Sequence, residues 1–480
     1  MRTIRLSAPL DNQNPSEFSW WQKDLRNECA VSITPPLTGK KSADIAIIGG
    51  GFTGMWAALA IKRRDPTRTI MVLEAGRCGD GASSRNGGNV HGYWGAVQSL
   101  SALLGRDKAL EVARLGTLAQ DRIRAFATAP GRNTWWREDG YLRVAASTAQ
   151  KKSVASLLSA ARDLGVPHTV RGLSALELAA YCNSPAFSMG LLFSEGATVN
   201  PARLSAALRE AVRAAGVLVF EMSPVLEIAS GPPCRVVTRS GEVTANAVIM
   251  ANYTGALALP EVASRTTIFS SFPVMSNPAP EALAASNWTS GRGMADLRMF
   301  QHYFRTTPDG RVLVGSGSGR MSLGRDDANP ILRRDRQSTE RAAAALARFL
   351  PAVASAGIDT TWGWPIEVSS DRLPFFGTLP GTQIHYGCGY TGHGVNATYI
   401  GGETLASLAL QSKDEWSMSP FCTRKQPKLP PEPFRFFGGR FVQWGVLNCE
   451  DAEDVGKEGT WLGKFAASLP AKMGLRIGVR

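Results

Sequence analysis

The clearest pattern in the chain runs from Asp44 to Glu74. Ile45-Ala46-Ile47-Ile48 is continuously apolar and β-branched, and it stops at Gly49-Gly50-Gly51-Phe52-Thr53-Gly54. A helical spacing follows in Met55-Trp56-Ala57-Ala58-Leu59-Ala60, and a second apolar run, Ile70-Met71-Val72-Leu73, ends on Glu74. This order predicts strand, tight loop, helix, strand. Further along, Leu110 to Phe126 and Lys151 to Leu164 have helical spacing, and Trp135 to Val144 between them reads as a strand. Asn200 can cap a helix that Pro201 opens and Gly216 ends. Val217 to Phe220, Pro224 to Ile228 and Ala247 to Asn252 read as strands of the first unit. Phe269 to Met275, Arg298 to Phe304 and Val312 to Gly315 read as strands of a second sheet, and a last helix is expected from about Ala397 to Leu410.

The glycine loop has a chemical reading. Gly49 permits the tight turn, Gly51 lets backbone approach a pyrophosphate, and Gly54 lets the helix pack against the strand. The helix N-terminus offers free N–H groups to phosphate oxygens. Glu74 can accept from the hydroxyls of an adenosine ribose. An ordinary glycine-rich turn would not explain the strand before it, the helix after it and the acid at this distance. A second Gly/Ser loop follows, Ala75-Gly76-Arg77-Cys78-Gly79-Asp80-Gly81-Ala82-Ser83-Ser84-Arg85-Asn86-Gly87-Gly88. Two such loops around one strand–helix–strand unit point to a long cofactor gripped along its length.

Length and composition narrow the field. The 480 residues suffice for two or three domains, and 44% hydrophobic with 19% charged is ordinary globular composition. The net charge of +13 comes from basic residues scattered through the chain, without a nucleic-acid motif. Seven cysteines, among them Cys29, have no Cys-x-x-Cys spacing, so neither a metal site nor a disulfide framework is expected, and a reducing cytoplasm fits. No apolar run is long enough to span a membrane.

The motifs together resemble the D-amino-acid oxidase (DAO) superfamily of FAD enzymes, in particular its γ-glutamylputrescine oxidase branch. The likeness rests on Gly49 to Gly54, on Leu73-Glu74-Ala75 and on Gly81 to Gly88, and it recurs up to about residue 412. It implies an α/β fold: a Rossmann-like FAD-binding domain of the GR2/DAO type, with a second, mainly antiparallel sheet domain plus helices for the substrate. The expected division is an N-terminal arm at 1–41, an FAD-binding domain at 42–95, 190–265 and 362–412, a substrate domain at 96–189 and 266–361, and an extension at 413–480.

The resemblance also implies where FAD lies. Gly49, Gly51, Phe52, Thr53, Gly54, Glu74, Ala75 and Arg77 would serve the adenosine and pyrophosphate. Ala82, Ser83, Ser84, Arg85, Asn86, Gly87 and Gly88 form the second loop. Val225 is placed at the adenine, Asn252 at the end of the strand beneath FAD, and Trp364 in a segment crossing behind the flavin. The closing motif supplies Gly389, Gly392, His393, Gly394 and Val395. Asp371 is expected to be structural. Some relatives tie the flavin to Cys or His; here Cys388 and His91 are the candidates, and non-covalent FAD is expected.

The implied chemistry is oxidation of a C–N bond in an amine or amino-acid-like substrate, with molecular oxygen taking the electrons. His393 and Tyr303 are the candidates for its environment. Arg305, on the same strand face as Tyr303, is the candidate for anchoring a substrate carboxylate. Trp94, Trp362, Trp364 and Tyr390 are equally readable as a cage for a cationic amine or as packing. A dehydrogenase passing electrons to a quinone or carrier protein, and a specialised tailoring flavoenzyme or monooxygenase, remain as alternatives. The arm, with Asp11 to Ser16 polar and Trp20-Trp21 bulky, is expected to dock on the body through its tryptophans. The tail from Trp461 to Arg480, with Lys464, Lys472, Arg476 and Arg480, is expected to pack on its own subunit; contact with a membrane surface is the less favoured reading.

Overall fold

The computed structural model describes residues 2–7, 10, 13–28 and 32–475; Asp11, Cys29, Arg476 and Arg480 therefore lie outside the described residues. Among the described residues, the strands form a nine-stranded sheet, an eight-stranded sheet and two two-stranded ribbons. In the nine-stranded sheet Gly39–Ile48 lies between Ile70–Leu73 and Gly241–Met250, all parallel. Leu218–Phe220 extends the parallel set on one side and Ile384–Cys388 on the other. Ile45, Ile47, Ile70 and Val72 are buried beneath helices, and Ala46, Ile48, Met71 and Leu73 are buried on the opposite face. Burial on both faces explains the continuous rather than alternating apolar runs. The helices Phe52–Arg64 and Gly394–Ala409 cross at Gly402, where a Cβ would overlap Trp56.

The helices Arg106–Ala127 and Thr148–Asp163 form where the apolar spacing places them. Asn200 caps Pro201–Ala214, its Oδ1 accepting from the N–H groups of Ala202 and Arg203 at 3.1 and 3.2 Å, and Gly216 follows at φ +75°. Three strand expectations need correction. Of Trp135 to Val144, only Tyr141–Ala145 is a strand, because Trp135 sits at φ +57° and turns the chain. Phe269 to Met275 is split: Thr266–Ser271 pairs with Trp364–Ser369, while Val274–Ser276 joins the eight-stranded sheet. Pro273, which has no N–H for a ladder, lies at the division. Arg298 to Phe304 becomes a strand only at His302, because Asp296 Oδ1 accepts from the N–H groups of both Arg298 and His302 and pulls the intervening residues into a loop. The eight-stranded sheet is antiparallel except where Gly293–Asp296 meets Tyr141–Ala145.

The arm does dock through its tryptophans. Trp21 is fully buried and its indole N–H donates to Asn86 O at 3.0 Å, while Ser19 Oγ donates to Ser84 O at 2.6 Å. Thr3–Arg5 adds an edge strand against Val225–Ala229, which its sequence did not suggest. Up to Leu475 the tail packs on the rest of the chain, with Trp461, Phe465 and Met473 left exposed. Arg424 makes a buried bidentate pair with Asp371, and the helices Phe434–Asp454 and Trp461–Lys472 pack together, tied back by an Arg341–Asp451 pair. Asp371 is thus structural, as expected. Among the described residues no helix is long and apolar enough to cross a membrane.

Candidate active site

A cavity of about 670 Å³ runs from the glycine loop to the C-terminal extension. That is the size range of cofactor and small-molecule sites. At its first end Gly49 is held at φ +103°, and a Cβ there would overlap the Ala251 carbonyl. Gly51 is the N-cap of Phe52–Arg64, so the start of that helix faces the cavity beside Phe52 and Thr53. Ser83 Oγ accepts from Phe52 N at 2.9 Å and ties the two glycine loops together. Glu74 accepts from Gly50 N at 2.7 Å and Gly76 N at 2.9 Å, which locks the turn, and burial raises its pKa. Asn252 lines the cavity with its buried Oδ1 lacking a protein donor. A glycine cradle, a helix N-terminus and an unpartnered acceptor suit a hydroxyl-bearing dinucleotide.

The middle of the cavity is built from the second loop and the closing loop. The Arg85 guanidinium lies 3.9 Å from the centre of the Trp364 ring, and burial pulls its pKa down to about 10. The Tyr303 ring fits between Gly87 and Gly315, where larger residues would collide with it. Its hydroxyl is 2.9 Å from Ser271 Oγ, and burial pushes its pKa up to about 12. His393 caps the helix Gly394–Ala409. Its Nδ1 lies 2.9 Å from Thr391 O, so Nδ1 carries the proton and Nε2 presents a lone pair, 3.3 Å from the Gln301 amide nitrogen. Burial, helped by nearby Arg372, drives the His393 pKa down to about 3. Arg372 lines the same space from a left-handed backbone position at φ +66°.

Most of the residues expected at the cofactor do line this cavity. They are Gly49, Gly51, Phe52, Thr53, Glu74, Ala75, Ala82, Ser83 and Arg85 to Gly88, together with Val225, Asn252, Trp364 and Gly392 to Val395. Four are placed elsewhere. Gly54 packs on Gly49, its missing Cβ giving the helix room against the strand. Arg77 and Ser84 face a separate small crevice beside Gln22 and Asp80. Gly389 turns the chain at φ +86° against Phe375 and Ser369.

Arg305 is no substrate anchor: it is fully buried off the cavity, donating to the carbonyls of Gly88, Val199 and Thr306. Nor do the four aromatics form a cage. Trp94 donates to Glu195, Trp362 to Arg85 O, Trp364 stacks with Arg85, and the Tyr390 hydroxyl meets Thr53 at 2.7 Å. Cys388 lies off the cavity with its thiol on Glu367, whereas His91 lines the cavity with its ring centre 5.6 Å from that of His393.

Three residues were not singled out by their sequence. Gln301 enters the site from a loop that carries no motif, and Arg372 from a strained turn inside the segment around Asp371, where it had no role assigned. Glu367 is buried behind the closing loop, accepting from Gly389 N at 3.0 Å and Tyr390 N at 3.4 Å, and burial raises its pKa to about 7. An acid in a strand that is otherwise buried was the available signal.

A family model described as FAD dependent oxidoreductase (DAO) matches residues 44–408. The chain belongs to this family. It is therefore an FAD-dependent oxidoreductase. The gamma-glutamylputrescine oxidoreductase of Escherichia coli (strain K12) is 28% identical over 374 residues, covering 76% of this chain and 83% of that protein. A probable oxidoreductase, OrdL, of Haemophilus influenzae is 26% identical over 420 residues, covering 85% and 90%. Among solved structures, glycine oxidase from Geobacillus kaustophilus superposes with a TM-score of 0.66 at 19% identity, covering 80% of this chain and 99% of that one. NikD, an unusual amino acid oxidase essential for nikkomycin biosynthesis, gives 0.65 at 17% identity over 82% and 99%. These two likenesses bear on the fold alone.

Proposed function

We propose that this FAD enzyme oxidises a C–N bond of an amine or amino-acid-like substrate. The observation that carries the reading is the charge around His393. A neutral imidazole presents a lone pair, and the cations that act on it are Arg372 and, more weakly, Arg143. An ammonium ion is repelled there and a free amine is admitted. Only the free amine has the lone pair that assists loss of hydride from the adjacent carbon. The names of the relatives, a gamma-glutamylputrescine oxidoreductase among them, support the same substrate class.

Bound FAD supplies the hydride acceptor at its N5. The residues of the chain do the rest. Gln301 and His393 orient the amine, Tyr303 closes one side with its hydroxyl held on Ser271, and the buried setting keeps bulk water away. The product is an imine, which water hydrolyses to a carbonyl compound, and oxygen accepts the electrons and leaves as hydrogen peroxide. Of the two residues that could carry a covalent link, Cys388 is turned to Glu367 while His91 lines the cavity, and we expect FAD to be held without a link to either. Acid precipitation should therefore leave the yellow colour in the supernatant. The six described cysteines are unpaired, which fits a reducing cytoplasm.

The test is anaerobic titration of the purified protein with polyamines, γ-glutamylated amines, N-methyl amino acids and D-amino acids, followed by air. Bleaching by one class with recovery in air supports an oxidase. Bleaching without recovery identifies a dehydrogenase with another acceptor. An unbleached flavin throughout overturns the amine reading.

A further inference from the structure

The far wall of the cavity belongs to the C-terminal extension, beyond residue 408 where the family match ends. The helix Phe434–Asp454 turns Arg435, Gly438, Gly439, Val442 and Gln443 into the cavity, spacings of three, four and seven that form one helical face. Leu469, Pro470 and Met473, in and just after Trp461–Lys472, complete the wall. This wall is firmly seated. Gln443 Nε2 donates to Gly319 O at 2.7 Å and Ser318 O at 3.2 Å, and Arg435 Nη1 donates to Ala263 O at 2.9 Å. Glu450 Oε1 accepts from Met299 N at 2.6 Å. Met299 and Phe300 line the cavity and lead directly into Gln301, the residue that touches His393.

We propose that the C-terminal helix pair selects the substrate of this enzyme, admitting amines that carry an extended apolar substituent, alkyl or aryl. The inference rests on the amine-oxidation reading above and adds the identity of the group attached to nitrogen. The surfaces that face one another here are Val442, Leu469 and Met473 on the extension and Phe269, Phe300 and Met321 on the body. Methionine and aromatic side chains accommodate flexible apolar groups well. No described residue of the extension brings a carboxylate to the cavity; on the body Asp327 lines it with its carboxyl hydrogen-bonded to Thr254, and Arg435 is committed to backbone carbonyls. Gly438 leaves room: a Cβ built there meets nothing within 4 Å, whereas one on Gly439 would press on Met321 Sδ at 2.7 Å. Each methylene moved from water onto such a wall strengthens binding roughly fourfold.

Gly438→Phe tests this directly. Gly438 lines the cavity and a side chain there has room, and replacing a glycine inside a helix favours the helix. The probes are n-propylamine, n-hexylamine and 2-phenylethylamine, each read as anaerobic flavin reduction rate over dissociation constant in the holoenzyme. In the wild type the two larger amines should exceed n-propylamine by about tenfold or more. Gly438→Phe should reduce that ratio about tenfold, and Val442→Ala, which removes wall surface without adding bulk, should reduce it less. Bleaching by all three amines with no preference in the wild type overturns the inference and leaves the amine reading standing, and so does an unchanged ratio in Gly438→Phe. Bleaching by none of the three, nor by the amines of the earlier panel, overturns both.

Discussion

His393 and Glu367 show how burial sets the chemistry of single side chains here. With its pKa held near 3, His393 stays neutral across the whole working range of an enzyme, so it adds no inflection between pH 5 and 10. The rising limb of flavin reduction against pH should therefore follow the substrate amine and move when the amine is changed. A limb that stays fixed across different amines would assign the titration to the protein. His393→Ala, which removes the contact with Gln301, should slow reduction on the order of tenfold to a hundredfold with the limb in place.

Glu367 is the opposite case. Its folded pKa of about 7 lies above the usual carboxylate value, so the folded state favours its protonated form, and the wild type loses stability as pH rises from about 4.5 to 7. Glu367→Gln keeps an acceptor for the Gly389 and Tyr390 amides. It should be more stable than wild type at pH 8 by on the order of 2 kcal/mol and indistinguishable at pH 4 in urea unfolding. A less stable variant at pH 8 would mean that the Cys388 contact outweighs the buried charge.

At the scale of elements, the strand–loop–helix unit holds two glycines with different duties. Gly49 is needed for its left-handed backbone and its closeness to Ala251, and Gly54 for the contact between helix and strand. Gly49→Ala should purify largely without flavin, read as a lowered ratio of visible to ultraviolet absorbance. Gly54→Ala should lower thermal stability as well, since it pushes the helix off the sheet. This unit was legible because its signals are local: apolar run, glycine spacing, helix pattern and acid all fall within Asp44 to Glu74. The strands of the second sheet were less legible. Pro273 and the buried Asp296 break the expected runs, and the pull of Asp296 on the Arg298 to His302 segment is a tertiary effect with no local pattern. Arg305 was misread for a similar reason. Alternation correctly put it on the face of Tyr303, but two residues along the strand carry it behind Gly88 and away from the cavity.

At the scale of the whole molecule, a buried ion pair helps to fasten the start of the extension. Arg424 Nε and Nη2 donate to the two Asp371 oxygens at 2.8 and 3.1 Å, with both side chains nearly inaccessible. Arg424→Met would leave the Asp371 charge buried with Gln426, the Ser369 hydroxyl and the local backbone to help. It should cost about 3–5 kcal/mol of stability and open the segment around Pro427 to limited proteolysis. Adding Asp371→Asn should restore part of the loss, and no change in either assay would show that the pair is dispensable.

By itself the sequence determined the cofactor class, the glycine cradle and the helices around the parallel sheet, because each of these is written in neighbouring residues whose spacing has one good structural solution. The tertiary structure decided what meets around His393. Gln301, Arg372, His393 and the wall from Phe434 to Met473 come from four separated stretches of chain, and only their packing sets the neutral state of His393, the removal of Arg305 from the site and the apolar surface that closes it.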